Sequence, residues 1–486
     1  MNAQRNVTFV MSMKTLRLAA VMALLWANGI TVSNLNVNQA AGTVTFDISW
    51  QNSWRDAENW DAAWVFVKFR DCNVPKTNPF SHGLISTTLT DHTFPASLEP
   101  TCADGTAPCI DPSPNNTGVM LRRTSNGFGT VSGTVTLRVT NLPATGNYDV
   151  RVIAIEMVFI PQGAFYVGDA TSLNSIRTSS IDNSPIHITS EAALPNISSF
   201  GSVNYSLTAN FRKGFAAFYI MKYEISQGQY TDFLNTIGQT QASNRFPNAY
   251  NSYRNRVQYN VLTVDYATDR PDRAMNYLSW SDVVAYLDWA ALHPLTELEY
   301  EKACRGPLAP VPYEYVWGTT SYTPGVTLSG AEDGTETFTD PGANMRRITD
   351  NITGGDGGQG PARVGIFATP TTDTRAAAGA SYWGVLNLSD NVGEYYYRYT
   401  AGQSGRLPGN GIPWGDGNLT HPGGDANTPN WVITCNTTDV TVRGVTSNAA
   451  TQPYAAISGR YGVTGVWGGI SDCFGRHQYI GGRGGR

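Results

Sequence analysis

The segment Leu295-Thr296-Glu297-Leu298-Glu299-Tyr300-Glu301-Lys302-Ala303-Cys304-Arg305-Gly306 predicts a helix over Thr296 to Arg305. Thr296 is placed to cap its start, and Glu299, three positions on, completes a capping box. Cys304 falls inside that helix, where a buried free thiol competes with a disulfide as its reading. Working outward, Ser279 to Leu292 predicts a second helix with Val283, Val284, Tyr286, Leu287 and Trp289 on one apolar face, and Ser226 to Ile237 predicts a third. Few other segments have a helical period. Gly- and Asn-rich tracts run from Thr319 to Gly379 and from Gly402 to Thr428, and loops of that length are uncommon unless they are functional or pinned by ions or disulfides.

The N-terminal third has a different texture. Thr43-Val44-Thr45-Phe46-Asp47-Ile48-Ser49-Trp50 alternates polar and apolar side chains like a half-buried strand, and Gly133-Thr134-Val135-Thr136-Leu137-Arg138-Val139 does so again. Trp64-Val65-Phe66-Val67-Lys68-Phe69 is more continuously apolar. Segments rich in Gly, Pro, Asn and Ser separate these runs, so residues 30–155 are expected to form a small antiparallel β-sandwich, with Cys102 to Asn116 as a surface excursion. Residues 156–486 are expected to form a second domain, reached without a flexible linker. Trp50, Trp54, Trp60 and Trp64 cluster early in the first domain and read either as core residues or as a sugar-stacking platform.

At 486 residues the chain exceeds the size at which a single core stops growing. Thirty-three Lys and Arg against 38 Asp and Glu give a net charge of −5, with no basic patch for nucleic acid. Lys14 and Arg17 before the apolar run Leu18 to Trp26, followed by Ala27-Asn28-Gly29, read as a secretory signal peptide over residues 1–29, with Met13 opening a better signal by itself. The expected location is therefore secreted or cell surface. No cysteine follows the cleavage position as a lipid anchor requires, and no later stretch reaches the ~18 consecutive apolar residues of a membrane span. Six cysteines, an even number, permit disulfides; Cys102 with Cys109 would close a short loop and Cys435 with Cys473 a longer one. The six histidines are scattered without metal-ligand spacing.

Several motifs occur in an order that resembles the formylglycine-generating enzyme, or sulfatase-modifying factor, family. They begin at Met157-Val158-Phe159-Ile160-Pro161-Gln162-Gly163 and continue with Phe218-Tyr219-Ile220-Met221-Lys222-Tyr223-Glu224 and Asn276-Tyr277-Leu278-Ser279-Trp280. Leu295 to Gly306 resembles the family's signature helix, with Val316-Trp317-Gly318 as its next turn. Leu388-Ser389-Asp390-Asn391-Val392-Gly393-Glu394-Tyr395 is similar to its Gly-Asn-Val-Trp-Glu-Trp segment. Arg443-Gly444 and Ile480-Gly481-Gly482-Arg483 resemble the start of its Arg-Gly-Gly-Ser strand and its closing motif. The resemblance implies an α+β fold of low regular-structure content, a variant of the C-type lectin fold. It also implies structural calcium, a hard cation taking roughly six to eight oxygen ligands. Asn391, Val392 through its carbonyl, and Glu394 match one site. Asn344, Met345 through its carbonyl, and Asp356 match the other.

The resemblance breaks at the chemistry. Family oxidases carry two cysteines shortly after the Arg-Gly-Gly-Ser strand, where soft thiolates hold copper. Here Gly444-Val445-Thr446-Ser447-Asn448-Ala449-Ala450-Thr451-Gln452-Pro453-Tyr454 contains none before Cys473. The N-terminal region also lacks the histidine cluster of the related sulfoxide-synthesising branch. The expectation is a non-catalytic ligand-binding or structural surface protein, with an extracellular protein, a glycan or a second copy as partner. Tyr454, Tyr461, Trp467 and Phe474 are its candidate binding residues, with core packing as their other reading. The alternatives are a copper-dependent oxidase using a displaced Cys435 and Cys473 pair, and a carbohydrate-binding surface protein using the N-terminal tryptophans.

Overall fold

The computed structural model describes residues 29–111, 116–172, 174–198, 204–369, 372, 374–399, 413–431, 439–444, 454–460 and 475–486. The chain opens with strands β1 (Ile30–Asn38), β2 (Thr43–Arg55), β3 (Asp61–Asp71), β4 (Ser81–His82), β5 (Leu98–Thr101), β6 (Val119–Arg123), β7 (Gly127–Arg138) and β8 (Tyr148–Ile160). Short strands β9 (Phe165–Val167), β10 (Ile186–Ile188), β11 (Leu194–Ile197) and β12 (Tyr205–Leu207) precede β13 (Phe218–Met221). Next come α1 (Gln227–Leu234), α2 (Gln239–Arg245), β14 (Val257–Asn260), β15 (Asp265–Thr268), α3 (Trp280–Trp289) and α4 (Glu297–Arg305). Strands β16 (Leu328–Ser329), β17 (Thr337–Phe338), β18 (Glu394–Tyr397) and β19 (Val440–Arg443) complete a mixed α+β chain of low helix content.

The N-terminal region is antiparallel β-sheet. A three-stranded sheet, β1-β2-β7, faces a six-stranded one in which β13-β8-β3-β6-β5 lie in order and β4 pairs with β3. The alternation of β2 works as expected: Val44, Phe46, Ile48 and Trp50 point inward to meet Val65, Val67, Leu121 and Val152 from the facing sheet. The continuous apolar run of β3 has the matching explanation, since both of its faces are covered. Val65 and Val67 face the three-stranded sheet, while Trp64 and Phe66 face the helices, packing with Tyr286, Leu287 and Trp289 of α3.

Strand β8 crosses residue 155 without a break. It pairs with β3 over Tyr148 to Val158 and with β13 over Met157 to Ile160, so a division at 155 falls inside a strand shared by both regions. Buried polar bonds lock the seam. Trp64 Nε1 donates to the Ala290 carbonyl at 2.8 Å, Trp60 Nε1 to Tyr219 Oη at 2.9 Å, and the Lys222 ammonium to Glu156 at 2.9 Å and Asp61 at 3.1 Å. Of the two readings of the early tryptophans, these contacts favour core packing over a sugar-stacking platform. Trp50, Trp60 and Trp64 are buried, and Trp54 is half-buried with its Nε1 donating to Asn59 at 2.9 Å. Broad apolar rings gain more from the seam than from solvent.

All three expected helices form, and Ser226, Ser279 and Thr296 each close a capping box, with Gln229, Asp282 and Glu299. Helix α2 was not anticipated, because Gln-Thr-Gln-Ala-Ser-Asn-Arg has no apolar period. Part of the long tract after Thr319 is pinned by its own small core, Leu328, Ile352, Ala362, Ile366 and Phe367. Arg346 reinforces it: its buried guanidinium donates to the carbonyls of Asp350 at 2.7 Å and Gly360 at 2.9 Å, satisfying backbone that no strand pairs. Cys102 and Cys109 form a disulfide, with Cα atoms 5.4 Å apart. Among the described residues Cys72 is an exposed thiol and Cys304 a buried one, while Cys435, Cys473 and residues 1–28 lie outside them. No helix among the described residues is long and apolar enough to cross a membrane.

Two buried histidines give the fold a pH dependence. His293 Nε2 accepts from the Arg212 guanidinium at 3.0 Å and its Nδ1 donates to the Pro294 carbonyl at 2.9 Å; burial first, and then Arg212, depress its pKa well below the usual value. His82 is depressed likewise, by burial and then by Lys68. In the unfolded chain both titrate near 6.5, so below that pH the unfolded state takes up protons that the folded state refuses. Stability is fully present above about pH 6.5 and is lost in acid, by about 1.4 kcal/mol per pH unit for each histidine. Urea midpoints between pH 7 and 5 are expected to fall, and His293→Gln is expected to flatten the slope; an identical slope in the variant would count against this origin.

Candidate functional site

The signature helix α4 carries Glu297 and Glu301 four residues apart, which puts both carboxylates on one face. Both are buried, and arginines from distant parts of the chain meet them. Arg443, at the end of β19, donates from Nη2 to Glu301 at 2.9 Å and lies 3.5 Å from Glu297. Arg460 grips Glu297 with two bonds, at 2.6 and 2.9 Å. Arg305 reaches Glu301 at 3.3 Å, contacts Glu314 and donates to Ser458 Oγ at 2.8 Å. Burial pushes the Glu297 carboxyl up, but Arg460 and then Arg443 outweigh it and hold the carboxyl below its usual range. The network fixes the start of the segment in which family oxidases, by the resemblance, carry their thiols.

No thiolate stands beside it among the described residues. Cys304, on α4 itself, is fully buried, and burial drives its thiol far above the ordinary range, so it remains neutral. Reactive cysteines need the opposite environment, partly exposed and electropositive. Residues 445–453, which directly follow Arg443 and Gly444, lie outside the described residues.

The two sets of candidate calcium ligands fare differently. Asn391, with φ of 67°, donates from Nδ2 to Glu224 at 2.7 Å and accepts the Ala362 amide at 2.9 Å, while the Val392 amide donates to the other Glu224 oxygen at 2.9 Å. Glu394 accepts from Arg483 at 2.8 Å and from the Tyr396 hydroxyl. Glu224, Asp390 and Glu394 are all buried, and burial raises all three, Asp390 to about 7. Among the described residues Glu394 is paired with Arg483, whose charge also acts on Glu224 and Asp390. Their geometry supplies no cage: among the described residues no three His, Cys, Asp or Glu side chains are placed to hold a metal ion. The second set does not fit an ion. Asn344 bonds the Thr323 amide at 2.9 Å and the Ala376 carbonyl at 3.1 Å, and the Met345 carbonyl accepts the Gly325 amide at 2.8 Å. Asp356 instead pairs with Arg254 at 2.6 Å, Arg273 at 2.8 Å and Arg270 at 3.7 Å, three arginines it shares with Glu332, so its carboxylate is already neutralised by side chains.

The family pattern described as the sulfatase-modifying factor enzyme 1-like domain matches residues 149–404, more than half of the sequence. The chain belongs to that family. It is 26% identical over 117 residues to the formylglycine-generating enzyme of Bos taurus, covering 19% of this chain and 31% of the relative. With the formylglycine-generating enzyme of Thermomonospora curvata the identity is 32% over 128 residues, covering 26% of this chain and 34% of the relative. The chain therefore spans about a third of the length of the curated relatives it matches.

The sulfatase-modifying factor match begins inside β8 and ends before Arg443, so the closing segment is placed by the structure alone. The Gly481 amide donates to the Gly393 carbonyl at 2.9 Å, the Met221 amide to Gly484 at 2.9 Å and the His293 amide to Gly485 at 2.8 Å. A side chain does not fit this seam at Gly481, where a Cβ would stand 2.5 Å from the Met275 carbonyl oxygen, a backbone atom.

Of three cavities, two adjoin each other at the β14–β15 hairpin, sharing Gln239, Tyr259 and Tyr266. One of about 410 Å³ is lined by Asn251, Tyr253, Arg254, Arg256 and the loop from Asp356 to Gln359. A second, of about 520 Å³, opens between Arg70 and Arg151 of the N-terminal sheet and the α1 and hairpin side. The third, of about 510 Å³, lies between α2 and the hairpin and includes Tyr250, Tyr259 and Tyr266. Of the four candidate binding residues, Tyr454 is half-buried against the main core, and Tyr461, Trp467 and Phe474 lie outside the described residues. The hairpin cavities were missed because they need α2, which had no sequence signal. The density of tyrosine, asparagine and glutamine from Asn248 to Tyr266 was the available clue.

Proposed function

We propose that this protein is an exported, non-catalytic ligand-binding or structural protein, built on a C-type-lectin-like variant of the sulfatase-modifying factor domain behind a β-sandwich. The observation that carries the reading is the run Gly444 to Tyr454, with no cysteine where the family resemblance places the copper-binding pair. The neutral, buried thiol of Cys304 agrees with it. The relatives are named formylglycine-generating enzymes, and that activity is theirs. Export rests on the basic and apolar start of the chain. The partner is an extracellular protein or glycan, or a second copy; the net charge of −5 gives no attraction for nucleic acid. Calcium belongs to the proposal only at Asn391, Val392 and Glu394, where an ion would neutralise part of the buried carboxylate charge. It is not proposed at Asn344, Met345 and Asp356, since Asp356 pairs with arginines while Asn344 and the Met345 carbonyl are bonded to backbone groups elsewhere.

Metal analysis with a free-thiol count on the purified protein tests the reading. The expected result is no bound copper and no pair of copper-binding thiols. Bound copper with Cys435 and Cys473 both free would favour the displaced-pair oxidase and overturn it.

A further inference from the structure

We propose that the cavity between α2 and the β14–β15 hairpin binds a neutral glycan, an inference that rests on the non-catalytic binding function above. Its volume of about 510 Å³ falls within the roughly 300–1,000 Å³ of small-molecule sites. One side is aromatic. Tyr259 and Tyr266 are register partners across the hairpin with ring centroids 5.0 Å apart, and Phe246 lies 5.1 Å from Tyr266. Tyr250, 39% exposed, stands at the rim. It is held there by Arg256, whose guanidinium stacks 4.7 Å from the ring and is itself clamped by Asp269 at 2.7 and 2.9 Å. The rim ring is thus presented in one orientation before any ligand arrives, which lowers the ordering cost of binding.

The other lining groups are amides and a hydroxyl. Gln239, Asn248 and Gln258 are exposed, and Gln239 donates from Nε2 to the Tyr259 hydroxyl at 3.1 Å. An amide offers both a donor and an acceptor, which matches a sugar hydroxyl that needs one of each. The C–H face of a pyranose packs on an aromatic ring while its rim of hydroxyls meets such amides. Among the described residues no charged side chain lines the cavity, so it has no counter-charge for an acidic or basic ligand. Aromatic grooves also take proline-rich peptides. Such a peptide supplies carbonyl acceptors but few donors, and would leave the amide oxygens idle.

The test is an array of neutral glycans, charged glycans and proline-rich peptides probed with the full chain, followed by titration of the strongest neutral glycan. Tyr250→Ala and Gln258→Ala alter exposed residues, so folding is retained and is checked by circular dichroism. Neutral glycans are expected to bind with little dependence on salt, and each variant is expected to lower affinity, Tyr250→Ala by about tenfold. Three results would overturn the inference: no neutral glycan retained on the array, affinity unchanged in both variants, or preference for charged glycans or proline-rich peptides. The copper and thiol measurement is independent, so the glycan site and the non-catalytic reading fail separately.

Discussion

Arg443→Met is expected to destabilise the protein by about 3–5 kcal/mol, because it removes the guanidinium that Glu297 and Glu301 share and leaves Arg460 and Arg305 to balance the buried carboxylates. Arg443 is fully buried and bridges Glu297 and Glu301 on α4 to the end of β19. Its guanidinium also donates from Nη1 to the carbonyls of Ile457 at 3.0 Å and Gly459 at 2.8 Å, so the substitution leaves backbone acceptors unpaired as well. Methionine preserves much of the volume, which separates the charge effect from a cavity effect. Urea unfolding measures the loss. Arg443→Lys keeps the charge but not the forked donor geometry, and should recover only part of it. A loss below about 1 kcal/mol for the methionine variant, the size of an exposed ion pair, would show that the network does not carry α4.

Lys222→Met should cost a similar amount, about 3–5 kcal/mol at neutral pH, with a pH signature of its own. The Lys222 ammonium sits between Asp61 and Glu156 at the seam where the N-terminal sheet meets the rest of the chain. Burial raises both carboxyl groups, and Lys222 is the main influence pulling them back down. Without it their folded-state values rise further above the unfolded ones. A carboxyl raised on folding favours the folded state in acid and loses that advantage as pH climbs through the folded value. The variant's deficit should therefore shrink toward pH 4–5 and widen toward pH 8. Urea midpoints across that range, with tryptophan fluorescence reporting on Trp60 and Trp64 at the same seam, check it. A deficit independent of pH would mean that the effect is packing rather than charge.

Local signals in the sequence reached a definite depth. The capping residues of α1, α3 and α4, the alternation of β2 and the unbroken apolar run of β3 report on single elements, because cap chemistry and side-chain period act within a few residues. They predicted where those elements lie; that β3 is covered on both sides is the structure's explanation of its apolar run. The family motifs added order along the chain, and the missing cysteine pair after Arg443 needed no structure at all.

What the sequence by itself determined was therefore helices α1, α3 and α4, the strands β2, β3 and β7, the family resemblance and the absence of that pair. Tertiary structure alone decided the partners. It made β8 one strand serving two regions, turned four tryptophans into seam and core, gave Asp356 to arginines, and joined α2 to a hairpin around a tyrosine-lined cavity. The reason is physical: a side chain's type says what it must satisfy, while the group that satisfies it comes from more than a hundred residues away, as Arg443 does for Glu301 and Lys222 for Asp61.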